Sequence, residues 1–80
     1  MYNKLPSKET VDRVRTKYPE GTRVELISMI DPYTDLKSGD KGTVDFVDDI
    51  GSVFCNWDQG STLAVVYGVD EIRKIDEEAI

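Results

Sequence analysis

Apolar positions along the chain keep the period of a helix up to residue 18 and the period of a strand beyond it. Val11, Val14 and Tyr18 recur at i, i+3 and i+7 and so share one stripe of a helix. Ser7 is a good N-cap, Pro6 stands ahead of it and Tyr18-Pro19 makes a natural stop, which predicts a helix over 7–18. Its opposite face reads Glu9, Arg13, Lys17. Glu9 four residues ahead of Arg13 is the favourable order for an ion pair, worth about 0.2–0.5 kcal/mol. A stripe this narrow does not build a fold, so the helix is expected to lie as a lid across a β-structure.

After Pro19-Glu20-Gly21 the alternation begins. Val24 and Leu26 alternate with Arg23 and Glu25, then Ile27, Met29 and Ile30 crowd together, as in a strand that becomes covered on both faces. Asp31 to Gly42 reads as a long loop, marked by Asp-Pro and Ser-Gly. In the next strand Val44 and Phe46 are expected on one face, with Thr43, Asp45 and Val47 on the other. Asp48 to Gly51 turns the chain back, with Gly51 free to take a positive φ. Val53, Cys55 and Trp57 then share a face opposite Phe54, Asn56 and Asp58. Asp58-Gln59-Gly60 is predicted to be a tight hairpin, its aspartate accepting from amides two residues on and its glycine left-handed. A strand through Ser61 to Tyr67, a helical turn at Gly68 to Ile72 and a last strand at Arg73 to Ile75 complete the count. Five short strands with a long first loop and tight middle hairpins describe a mainly β chain, an SH3-like barrel over 22–75 after one helix. Residues 76–80 are expected to be a frayed acidic tail.

Composition narrows the function. Eighty residues make one domain with a single small core. The longest apolar run, Leu63 to Tyr67, is far short of the roughly 20 residues a membrane span needs, and Met1 to Thr10 lacks a signal-peptide apolar region. A soluble cytoplasmic protein with no membrane partner is expected. With one cysteine and no histidine, the usual zinc sets and Cys-His or Ser-His pairs are excluded. Cys55 between apolar neighbours reads as a small hydrophobe on a strand. The carboxylate pairs, Asp31 with Asp35, Asp48 with Asp49 and Asp70 with Glu71, fall on separate loops of a body too small to enclose a substrate. No phosphate loop, dinucleotide fingerprint or calcium-loop spacing occurs. No enzyme, cofactor, metal or small-molecule substrate is therefore expected.

The charge is uneven. Met1 to Arg23 carries six basic and three acidic residues, whereas the remaining 57 carry four basic and thirteen acidic, for a net of −6 overall. Phosphate backbones repel an acidic body, so nucleic acid is a disfavoured partner and protein the expected one. The alternative is a nucleic-acid accessory protein using the helix, which requires Arg13, Arg15, Lys17 and Arg23 to form one continuous basic patch.

Gly21-Thr22-Arg23-Val24, Asp31-Pro32-Tyr33, Gly42-Thr43-Val44, Asp48-Asp49-Ile50-Gly51, Trp57-Asp58, Gly60-Ser61 and Gly68-Val69-Asp70 together resemble a family of small bacterial and phage-borne domains of unknown function. Such domains occur in conjugative elements and prophages of Gram-positive bacteria, and the likeness runs from Val11 to Ile75, with Tyr67 where relatives carry a proline. The resemblance implies the SH3-like fold and a mobile-element setting, and no catalytic residue. SH3-like barrels bind partners beside the long first loop, where Tyr33 with Trp57 or Tyr67, ringed by Asp31, Asp35, Asp48 and Asp49, forms the candidate site. The competing role for Trp57 is core packing under the helix against Val14 and Tyr18. The expected function is a non-catalytic protein-interaction module of a phage or mobile genetic element that works through its acidic surface; setting and charge, though no motif, suggest a sharper version, inhibition of a host defence or DNA-processing protein.

Overall fold

The computed structural model describes residues 5–31 and 33–76. Helix α1 spans Lys8–Lys17 and starts where the sequence places it, with the Ser7 hydroxyl accepting from the Thr10 amide at 3.1 Å. It ends at Tyr18, whose N–H donates to the Val14 carbonyl at 2.9 Å, and Pro19 follows. The anticipated Glu9–Arg13 pair is not made. Arg15 instead reaches off the helix, its guanidinium donating to the Val47 carbonyl at 3.2 Å and to Asp49 at 2.8 Å.

Five strands follow: β1 Arg23–Ser28, β2 Lys41–Val47, β3 Val53–Trp57, β4 Ala64–Val65 and β5 Glu71–Lys74. They form one antiparallel sheet in the order β4-β3-β2-β1-β5. The sheet does not close into a barrel. Its ladder stops at β4, which is only two residues long, and β5 pairs with β1 alone among the described residues. The expected strand through Ser61 to Tyr67 shrinks to Ala64–Val65, because Ser61 and Leu63 amides bond within the turn and the Val66 amide goes to Asp70. The frayed-tail expectation falls largely on residues 77–80, outside the described residues.

The core lies between the curved sheet and α1. Val24, Leu26, Val44, Val47, Val53, Cys55, Trp57 and Val65 are buried from the sheet, joined by Leu36 from the first loop and Tyr18 from the end of the helix, with Val14 packed against them. Alternation explains β3 completely: Val53, Cys55 and Trp57 point in. In β2 it fails at one point. Asp45 is an extra residue, since Val44 pairs with Cys55 and Phe46 with Phe54, so Phe46 faces out and Val47 in, the reverse of the expected assignment. A second bulge falls between Leu26 and Ser28 in β1, and beyond it Ile30 is 75% exposed instead of covered. Gly51 and Gly60 take φ of 84° and 109°, as the two predicted turns require.

Candidate protein-binding groove

Trp57 decides where a surface site can be. It is 3% exposed, and its indole N–H donates to the Leu63 carbonyl at 2.8 Å. It is a core residue that pins the β3–β4 loop, so the expectation that it forms binding surface is corrected. The loop it holds turns over Gly60, whose amide donates to the Trp57 carbonyl at 2.8 Å. The Gln59 side chain, not Asp58, accepts from an amide of the turn, that of Ser61. Asp58 instead forms a two-pronged pair with Arg23 at 2.7 Å across the outer face of the sheet. Arg23 is largely buried beneath it, and the donated hydrogen bonds hold the Asp58 carboxyl below the usual carboxylate range.

Opposite this hairpin stands the first loop. Asp31 accepts from the Tyr33 amide at 2.9 Å, an Asx turn that throws the Tyr33 ring outward to 94% exposure. Thr34 accepts from the Leu36 amide and Leu36 enters the core, which anchors the loop at its far side. Between the loop and the hairpin lies an open groove of about 770 Å³. Asp31, Tyr33, Thr34 and Asp35 form one wall, Gln59 to Thr62 the other, with Phe54, Leu63 and Ala64 between them. Its described lining carries two carboxylates and no lysine or arginine.

Phe54 stacks on Phe46, the ring centroids 4.5 Å apart and the planes 6° from parallel. Stacking extends the apolar floor along the outer face of β2 and β3, and Phe46 is half exposed. The sequence placed Phe54 away from the core but not Phe46, because nothing in a linear alternation marks a bulge. Asp45 is the residue responsible.

The other expected site residues lie elsewhere. Asp48 accepts from the Ile50 and Ser52 amides at 3.1 and 2.8 Å and so holds the β2–β3 turn. Asp49 is paired with Arg15. Tyr67 sits beside α1 and the β4–β5 turn, in hollows that share no residue with the groove. The structure thus brings Tyr33, Asp31 and Asp35 together and separates them from Asp48, Asp49, Trp57 and Tyr67. The basic residues are also divided, Arg15 by Asp49 and Arg23 by Asp58, with Arg13 and Lys17 left on the helix. Cys55 is buried, and loss of solvent pushes its thiol up to about 12. Among the described residues no three His, Cys, Asp or Glu side chains converge as a metal set, and no helix is long and apolar enough to cross a membrane.

Sheet and groove define a small, mainly β domain with one covering helix and an aromatic, acid-flanked outer face. The chain belongs to the DUF4314 family, a domain of unknown function, whose model matches residues 7–75. No curated protein and no solved structure matches it.

Proposed function

We propose that this domain is a non-catalytic protein-interaction module of the SH3-like type that binds a basic segment of a partner in the Tyr33 groove. The groove carries this reading: an outward tyrosine and a phenylalanine floor flanked by Asp31 and Asp35, with no cation in the described lining. Rigid aromatic surface supplies contact area at small entropic cost, and the carboxylates orient an arginine or lysine of the ligand. The strand order β4-β3-β2-β1-β5, with a long loop between β1 and β2, supports the SH3-like assignment, the sheet being left open where β4 is short. The likeness to prophage and conjugative-element domains supports a mobile-element setting. A net charge of −6 fits a partner with a basic surface, such as the nucleic-acid channel of a host defence or DNA-processing protein.

The nucleic-acid alternative has less support, because two of its four basic residues are committed to aspartates. The test is titration of the isotope-labelled chain with short peptides that combine arginine and apolar residues. Shifts should cluster at Tyr33, Asp35, Phe54 and Ser61, and Tyr33→Ala or Asp35→Lys should weaken binding at least about tenfold, roughly 1.4 kcal/mol. Arg13→Glu with Lys17→Glu should leave peptide binding unchanged. Tight binding to a DNA or RNA duplex at physiological salt, lost in that double variant, would defeat the proposal.

A further inference from the structure

The floor of the Tyr33 groove does not end at Phe54. Ala64 pairs with Phe54 and Phe54 with Phe46, so these three side chains form one cross-strand row over β4, β3 and β2 on the outer face. Adjacent strands lie about 4.8 Å apart, which makes the row about 10 Å long from Ala64 to Phe46. The ring stack closes its last step. Ala64 and Phe54 line the groove, whereas Phe46 lines a second hollow together with Pro19, Glu20 and Asp45. The bulge makes the link, since Asp45, the extra residue that turns Phe46 outward, itself lines the hollow beside it.

Both hollows carry carboxylates without a cationic partner. Asp31 and Asp35 in the groove and Glu20 and Asp45 in the second hollow make no ion pair among the described residues. Arg15, the one cation in the described lining of the second hollow, is already held by Asp49 at 2.8 Å and by the Val47 carbonyl at 3.2 Å. An aromatic row is able to stack nucleobases, but four uncommitted carboxylates repel phosphate, and they repel a second copy of an acidic chain as well. They complement a segment that carries positive charge at two places.

We propose that the partner segment crosses the strands along this row. One arginine or lysine sits at Asp31 and Asp35, an apolar side chain covers the Phe46–Phe54 stack, and a second cation reaches Glu20 and Asp45. This occupant rests on the Tyr33 groove being a protein-binding site, and it adds a direction and a spacing. An extended chain advances about 3.3 Å per residue, so about three residues cover the row and adjacent arginines cannot serve both hollows.

Fluorescence anisotropy and amide-shift titrations with three synthetic peptides of one length test the proposal. One carries two arginines about three residues apart around a leucine, one has the two arginines side by side, and one has a single arginine. The spaced peptide should bind at least about tenfold tighter than the other two and alone should shift the Phe46 amide as well as that of Tyr33. Asp45→Lys and Glu20→Lys should each remove that advantage and leave the affinity of the single-arginine peptide unchanged, whereas Tyr33→Ala should weaken all three. Glu20 is exposed and outside the sheet, so its variant keeps the test decisive even where Asp45→Lys disturbs the bulge. Equal affinity of the three peptides, with shifts confined to Tyr33 and the β3–β4 hairpin, overturns the second anchor and leaves the groove standing. No shift at Tyr33 with any peptide defeats the groove itself, and this inference with it. Shifts at Phe46 produced by single-stranded DNA and not by the spaced peptide overturn the proposal in favour of a stacked base.

Discussion

Single residues in this fold are constrained for different reasons even where their chemistry is alike. A β-carbon built on Gly42 would lie 2.8 Å from Trp57 Cε3 and 3.0 Å from the Asn56 carbonyl oxygen, whereas one built on Gly60 meets nothing within 4 Å. Gly42 is required by the packing of Trp57 against β2, and Gly60 by its φ of 109° alone. Gly42→Ala should therefore cost about 1–3 kcal/mol through overpacking. Gly60→Val should cost more than about 1 kcal/mol through backbone strain, with no rearrangement of the core. Urea unfolding of both variants, with near-UV circular dichroism of Trp57, separates the two causes: only Gly42→Ala should disturb the tryptophan signal. Cys55 offers a third case. Buried and held as the neutral thiol, with its titration pushed up to about 12, it should resist a maleimide at pH 7 and label only as the chain unfolds. Rapid labelling of the native protein, followed by mass spectrometry, would show that the β3 face is open.

At the scale of elements, two adjacent aspartates divide structure from surface. Asp48 bonds two amides of the β2–β3 turn, one of them on buried Ser52, while Asp49 makes an exposed ion pair with Arg15. Asp48→Ala should destabilise by about 1–3 kcal/mol because it strands amide donors, and Asp49→Ala by no more than about 0.5 kcal/mol, both measured by thermal melting. The clasp between β1 and the end of β3 predicts a response to acid. Arg23 keeps the Asp58 carboxyl below its ordinary value of 3.8, so the folded state favours the ionised form. Its contribution is complete above the unfolded-state value and is lost as pH falls through the lower folded value. The melting difference between wild type and Asp58→Asn should accordingly hold at neutral pH and shrink below about pH 4. These elements also show what a sequence can disclose. Caps, turns and alternation express local preferences, so α1, the glycine turns and the inward face of β3 were legible from spacing alone. A bulge depends on the partner strand, so the outward Phe46 and its stack on Phe54 were not. For the same reason Tyr33, Asp31 and Asp35 could be named as neighbours within one loop, but Phe54 and Gln59 to Thr62 become their opposite wall only after the sheet has formed.

Over the whole molecule, charge and topology set behaviour that no single element controls. A basic protein partner of an acidic chain should be drawn in by long-range attraction, so its on-rate should fall as salt shortens the Debye length below about 10 Å, while the off-rate changes little. Stopped-flow association across a salt series checks this, and a flat on-rate would show that Asp31 and Asp35 act at contact only. Topology acts on time. β2, β3 and β4 pair with strands next to them in sequence, but β1 finds its second neighbour in β5, Val24 against Lys74 and Leu26 against Ile72. Contacts between distant parts of a chain carry the largest closure entropy and tend to form late. During synthesis the hairpins β2–β3 and β3–β4 can therefore assemble first, while β1, among the earliest strands made, waits with one flank unpaired until Glu71–Lys74 has left the ribosome. Any shortfall in translation near that point releases a chain with most of its core residues but a bare edge on β1, the form of this protein most exposed to chaperones, proteases and its own kind.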